Sequence, residues 1–430
     1  MDNVVYLHGQ PEPITQFLRV GFSGHRRLEQ LLSAGQLPLA RIVIDAAAFR
    51  RQTDLVGAIQ ASGRELTLDT NAAELSSVGK FDGAVREAPW ANPDGVLTPA
   101  HFGRSNDLDV LGAVARFAVE HRFQRVLAPA HLLTGVKDRW FHVDLEATRK
   151  LRTLLDMEGG KGIALDYPLL LPASVLNDPT ERKALATDLT NLPIDSIWVR
   201  ASGFGADATA AGVRKYIAAL QDFVAIGQPI ISDNVGGMAA LAVVALGSAC
   251  GVAHGAAEKE RFDASDWNRP RNSKQRGGGG YTVLLPGIDR LLKRTEAEVL
   301  IMAPHARRLV SCTDRTCCPN GFEDTLKDPR GHYLRQRAAQ CQELSSIPDA
   351  VKAQHFLDKI LTEADRKARQ IAKLRINDER LSAALHKNLT RLDRLRAVLE
   401  DLHGTGLMGH SKVFPTARIR SHAAHSRDRN

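Results

Sequence analysis

Four carboxylates, Asp45, Asp69, Asp166 and Asp233, each follow a short apolar run. The runs are Arg41-Ile42-Val43-Ile44, Leu66-Thr67-Leu68, Gly162-Ile163-Ala164-Leu165 and Pro229-Ile230-Ile231-Ser232. Such runs, rich in β-branched residues, have the pattern of buried strands. An Asp after a strand has a plain use, capping the next helix. Four of them also suit acid–base chemistry, because a parallel α/β sheet gathers its strand ends on one face. Arg200, His131, His254 and Glu258 are expected on the same rim. Carboxylates in unlike environments divide proton transfer from charge stabilisation.

A second group suits a metal. Four of the five cysteines lie between Cys312 and Cys341. Cys312, Cys317 and Cys318 with His332 make the economical set for a closed, structural zinc site, with Cys341 as a substitute ligand. The alternative is a reduced, metal-free loop.

Positioning the carboxylates requires a repeated unit. The stretch from Asp195 to Glu260 alternates strand, helix, strand, helix, strand, with a glycine-rich turn, Arg200-Ala201-Ser202-Gly203-Phe204-Gly205, after the first strand. Upstream, Phe17 to Gly21, Arg41 to Asp45, Leu66 to Asp69, Arg125 to Ala128 and Gly162 to Asp166 read as further strands. Eight strand–helix repeats predict a (β/α)₈ TIM barrel over residues 1–265. An open doubly wound sheet is the alternative, weakened because no G-x-G-x-x-G follows the first strand.

Beyond the barrel, a polar stretch carries Arg269, Arg271, Lys274 and Arg276 and then four glycines. It predicts a mobile loop that either closes over a phosphate-bearing substrate or is a plain linker. With the Cys/His cluster it forms a predicted subdomain over 266–345. Within it, Tyr281 to Pro286, Ile288 to Arg294 and Ala297 to Met302 read as strand, helix and strand. Residues 346–405 predict a basic helical hairpin or coiled coil. Leu385, Leu392, Leu395, Leu399 and Leu402 form a seam with Asn388 on it, suited to the barrel or to a second chain, as a homodimer or with a partner protein. Residues 406–430 predict a disordered basic tail.

Net charge is +8, and 346–430 hold 17 Lys and Arg against 10 Asp and Glu. A basic appendage on a near-neutral body suits a nucleic acid, RNA or DNA, or is simply a solvated helical face. No apolar run reaches the roughly 18 residues of a membrane span. Met1-Asp2-Asn3 lacks the basic and apolar parts of a secretory signal, so no membrane and a cytoplasmic location are expected.

This order of parts resembles the tRNA-guanine transglycosylase superfamily, including its 7-deazaguanine DNA-modifying branch. That family is a (β/α)₈ barrel with a zinc subdomain of three Cys and one His after the last strand. Its Asp-Ser-Gly-Gly-Phe motif on the second strand is similar to Asp45-Ala46-Ala47-Ala48-Phe49. Its Gly-Gly-Leu-x-Val-Gly-Glu loop is similar to Ala201-Ser202-Gly203-Phe204-Gly205-Ala206. The resemblance implies base exchange on tRNA or DNA. Asp45 would be the acid/base, with Asp69, Asp166, Arg200, Gly203, His254 and Glu258 around the substrate and a structural zinc at the cluster. The family's nucleophile is an Asp on the last strand, whereas Gly247 to Val252 contain none, so Asp233, which ends the neighbouring strand, is the candidate nucleophile or electrostatic stabiliser here. Two further readings stand beside it: a non-catalytic nucleic-acid-binding protein of the same fold, and an unrelated barrel enzyme acting on a small phosphorylated substrate.

Overall fold

The computed structural model describes residues 12–81, 83–103, 108–270, 282–406 and 409–415. Eight parallel strands close into a barrel in the order β1-β2-β3-β4-β5-β6-β8-β9. They are β1 (Thr15–Arg19), β2 (Arg41–Asp45), β3 (Glu65–Asp69), β4 (Arg125–Leu127), β5 (Ala164–Leu171), β6 (Ser196–Ala201), β8 (Ile230–Asp233) and β9 (Gly251–His254). β1 closes the ring against β9, Leu18 facing His254. A two-residue strand, β7 (Phe204–Gly205), pairs outside the barrel with β10 (Arg261–Phe262). The fold is the (β/α)₈ TIM barrel that the repeats predict.

The period-two rule for strands explains the barrel's interior. Phe17, Val43, Leu127, Trp198, Ile231 and Ala253 point inward and form one apolar layer. Two residues on from each of four of these come Arg19, Asp45, Arg200 and Asp233. Asp69, two residues after buried Thr67, joins them. A charged layer therefore lies directly above the apolar one, at the C-terminal mouth where barrel enzymes keep their chemistry.

Asp166 belongs elsewhere. The sequence places it at a strand end, but β5 runs on through Tyr167-Pro168-Leu169-Leu170-Leu171, so Asp166 sits near the strand's start. Pro168 misleads, since proline normally interrupts a central strand. Here β4 stops opposite Asp166, and Pro168 is laddered to β6 alone, the β4 side being met again only at Leu170, which bridges to Leu132. Asp166 instead faces the barrel floor, bonded to Arg125 Nη1 at 2.6 Å and to Trp198 Nε1 at 3.0 Å. Burial pushes its pKa up to about 6 against the pull of Arg125.

The floor is sealed by the chain's own tail, where disorder is expected from residue 406. Phe414 is 3% exposed and completes the apolar layer. Its ring lies edge-on to Phe17 at 5.3 Å and carries the guanidinium groups of Arg41 at 5.0 Å and Arg125 at 4.5 Å. Arg41 Nη2 donates to the Pro415 carbonyl at 2.7 Å, and Ile230 N donates to Ser411 Oγ at 2.9 Å.

The C-terminal helices pack on the barrel. The helix Gly237–Ala245 is buried on all sides, which its uniformly apolar sequence requires. Helices from 349 onward cover it, and the long helix Glu379–Gly404 lies along Ala210–Val224. Leu385, Leu392, Leu395 and Leu399, the seam offered by the sequence to a partner, lie in the chain's own core. Asn388 is satisfied within the chain, its Nδ2 donating to the Ile288 carbonyl at 2.9 Å. The expected strand–helix–strand over 281–302 is instead a hairpin, β11 (Thr282–Leu285) with β12 (Arg290–Lys293), followed by a helix over Arg294–Met302. Gly287 and Asp289 take positive φ in its turn, and Glu296 accepts from Lys293 N at 2.9 Å to start the helix. Among the described residues no helix is long and apolar enough to cross a membrane.

Candidate functional site

Four strand ends meet at the C-terminal mouth through two arginines. Arg19 Nε and Nη2 donate to the two oxygens of Asp233 at 2.6 and 2.8 Å, and its Nη1 donates to Asp69 Oδ2 at 2.7 Å. Arg200 Nε donates to Asp233 Oδ2 at 2.9 Å, and its Nη2 to Asp69 Oδ2 at 3.3 Å. Glu74 lies 3.8 Å from Arg200 Nη1. Arg19, Arg200, Asp69 and Asp233 are all buried. Burial alone would raise the carboxyl pKa of Asp69 and Asp233, but the two guanidinium groups outweigh it and hold both below the ordinary range. For Glu74 burial wins, reinforced by repulsion from Asp69, and its pKa is raised.

These contacts fix the roles available. Asp233 is fully buried, and both its oxygens accept charged hydrogen bonds. A carboxylate so held is a poor base and has no open face for attack. It suits holding Arg19 and Arg200 rather than the nucleophilic role expected for it. Asp45 differs. Its Oδ2 accepts from Lys259 Nζ at 2.7 Å, while Arg19 Nη1 is 3.9 Å from Oδ1. It occupies the N-cap position of the turn Ala46–Arg51 without capping it. Its carboxylate is thus free of the helix-starting use. Lys259 is partly exposed at 28% of its side chain, whereas Asp45 beneath it is buried.

The remaining predicted residues fall around this centre. Gly203 lies in the turn between β6 and β7 with φ near +82°, and its N–H donates to the Phe262 carbonyl at 2.9 Å. Glu258 packs over Gly21, where a Cβ would come within 2.3 Å of its Oε1. Burial raises its pKa, against Arg330 and Lys259. His254, at the end of β9, is buried, which lowers its pKa. Its Nδ1 lies 3.2 Å from Tyr333 Oη, and Tyr333 in turn donates to Glu260. The basic run from Arg271 lies outside the described residues, which resume at 282.

Sequence reasoning missed Arg19, Glu74 and Lys259. Arg19 had a signal: a charge inside the apolar run Phe17-Leu18-Arg19-Val20 is costly unless buried partners await it. Lys259 had none, since it reaches Asp45 only through a loop that puts Ala257 and Lys259 at positive φ.

The ligating atoms of Cys312, Cys317, Cys318 and His332 all lie within 4.8 Å of one another, and all four residues are buried. Cys317 Sγ and Cys318 Sγ are 3.7 Å apart, and His332 Nδ1 is 3.4 and 3.3 Å from them. A tetrahedral ion with sulfur bonds of about 2.3 Å requires sulfur–sulfur edges of roughly 3.8 Å. Outer partners fit too: His332 Nε2 faces the Leu284 carbonyl at 3.2 Å, leaving Nδ1 as a ligand, and Arg335 Nε donates to Cys317 Sγ at 3.4 Å. Cys341 belongs to the apolar core and not to this set. The cluster can hold a metal ion.

No protein-family model matches this chain, and no curated protein matches it. Solved structures similar to it include the endo-1,4-β-xylanase XylE of Penicillium canescens, at 11% identity and a TM-score of 0.38, covering 57% of this chain and 82% of that one. Another is the thiamine phosphate pyrophosphorylase of Pyrococcus furiosus, at 11% identity and a TM-score of 0.28, covering 60% and 93%. A third is the carboxyl transferase domain, Y628A, of Rhizobium etli pyruvate carboxylase, at 10% identity and a TM-score of 0.37, covering 95% and 67%. No residue role is carried over from any of them.

Proposed function

We propose that this chain is a barrel enzyme that moves protons at its C-terminal mouth, with Asp45 as the acid/base group and Lys259 beside it. The observation that carries the proposal is the contrast among the gathered carboxylates. Asp69 and Asp233 are locked by Arg19 and Arg200, while Asp45, buried like them, has one close cation, Lys259, which is itself partly exposed. A locked lattice beneath a freer group is the arrangement that holds a catalytic side chain in place. Lys259 and, outward, Arg330 favour a small substrate with an anionic group such as a phosphate.

A second reading rests on one specific observation, the Cys/His cluster that follows the last strand. Zinc is the ion such a donor set suits, and that order of parts resembles the transglycosylases. In that reading the substrate is a base in tRNA or DNA, and Asp45 serves its proton transfers while another group shields the sugar.

The test is incorporation of labelled guanine or 7-deazaguanine into tRNA or DNA, run beside turnover of a panel of sugar and alcohol phosphates. Base incorporation abolished by Asp45→Asn supports exchange. Turnover of a phosphate ester without incorporation supports the small-substrate enzyme. Tight nucleic-acid binding with neither activity means that the mouth is not catalytic.

A further inference from the structure

We propose that Ser76, His131 and Asp144 form a second reaction centre on the C-terminal face, in which Ser76 is a nucleophile toward activated carboxylic esters. Ser76 follows β3 after the short helix Ala72–Leu75, and His131 follows β4, where Leu132 bridges to Leu170 near the end of β5. Asp144 projects from the first turns of the helix Arg139–Met157 and is fully buried. Its Oδ1 lies 2.6 Å from His131 Nδ1, and its Oδ2 accepts from His131 N at 2.9 Å. A carboxylate can only accept, so it selects the tautomer with the proton on Nδ1. Nε2 is then an acceptor, and Ser76 Oγ lies 2.9 Å from it. The ring is fixed on a third side. It stacks on Trp140 with centroids 3.7 Å apart and meets the Phe102 ring edge-on at 5.1 Å.

Serine, histidine and aspartate in this order are the groups of a nucleophile, its base and the base's orienter. Burial falls in the right direction along the relay: Asp144 is wholly buried, His131 is 2% exposed, and Ser76 is half-buried. None of the three belongs to the lattice of Arg19 and Arg200.

In the reaction, Ser76 Oγ–H passes its proton to Nε2 as the Oγ–carbon bond forms. The alcohol leaves with that proton, and water repeats the sequence to release the acid and restore Ser76. The N–H groups of Ser76 and Ser77 are used by the Ala72 and Glu74 carbonyls. The relay thus supplies a nucleophile without a backbone cradle for the oxyanion, which limits it to esters with good leaving groups.

The test is labelling of the full chain with an alkyl fluorophosphonate, in which the Oγ–phosphorus bond forms, fluoride leaves and the proton passes through His131 to solvent. Mass spectrometry is expected to find one adduct, on Ser76, absent in Ser76→Ala and slowed about 100-fold or more in His131→Gln. Ser76→Cys gives a second measurement: its alkylation by iodoacetamide should be much faster than in the Ser76→Cys/His131→Gln double variant. Thermal melting of each variant shows that it is folded. An unlabelled Ser76 in the unaltered chain overturns the proposal, as does labelling or alkylation indifferent to His131.

Discussion

Arg19 and Asp233, which end β1 and β8, meet side-on through paired hydrogen bonds of 2.6 and 2.8 Å with both side chains buried. Strand β9 lies between their strands, so the pair spans the barrel's closure. Removing Arg19 leaves two buried carboxylates, Asp233 and Asp69, to share the guanidinium of Arg200. Arg19→Met is therefore expected to cost about 3–5 kcal/mol of stability. Urea unfolding measures it. A cost within a few tenths would show that the lattice contributes little.

The same lattice sets a response to acid. Asp69 and Asp233 have native pKa values lowered by Arg19 and Arg200 against the opposing effect of burial. Their contribution to stability is complete above the unfolded-chain value, about 3.9 for Asp. It is lost as pH falls through that value toward the native ones. Melting temperatures should hold from pH 7 to about 5 and then fall. In Arg19→Met the fall should be shallower, because ionisation of the two carboxylates is less favoured from the start.

Asp45 and Asp233 should part company on substitution. Asp45→Asn keeps the shape of the buried side chain, and the Lys259 it releases is partly exposed and can turn to water, so its melting temperature should stay near that of the unaltered chain. The rate of whichever reaction the chain performs should drop about 100-fold or more. Asp233→Asn should do the reverse in the first measure, with a marked loss of stability. Full activity in Asp45→Asn would move the acid/base role to another group, with Glu258 next in position.

Metal content gives an independent check. Protein prepared without added metal should carry about one ion per chain, consistent with one four-ligand site. Cys318→Ser should lower that content sharply, and Cys341→Ser should leave it unchanged. Equal loss in both would mean that the ligand set is wrong.

Much of the architecture was legible because alternation is a local property. The strand runs at Arg41 to Asp45 and Pro229 to Asp233, the Asp residues that end them and the Cys/His cluster could all be found by spacing alone. What escaped was set by distant parts of the chain. Pro168 hid the length of β5, since it is tolerated only because β4 stops short beside it. Asp166 was misplaced for that reason. The leucine seam from Leu385 to Leu399 was correctly helical, but a seam does not say what fills it, and here the chain's own helices do, Thr362–Ala372 together with the barrel helix Ala210–Val224. The docking of Phe414 between Arg41 and Arg125 joins residues hundreds of positions apart and leaves no periodic trace.

Phe414→Ala is expected to destabilise the fold by about 3–5 kcal/mol, the usual range for emptying a buried phenylalanine site. Truncation after residue 408 should cost more, since it also removes the hydrogen bonds of Ser411 and Pro415. Calorimetry on both variants measures the effect, and an unchanged melting temperature in the truncated chain would show the seal to be superficial.

The seal also orders events during synthesis. Phe17 emerges from the ribosome early and Phe414 after every strand and helix of the barrel, yet the two rings touch. At about 5–20 residues per second, the first strand waits tens of seconds for its last neighbour. Through that interval the floor of the barrel stands open, with Trp198, Ile231 and the cations of Arg41 and Arg125 facing water or whatever binds there. A nascent chain stalled just short of Ser411 should therefore be a chaperone client even though all eight strands have been made.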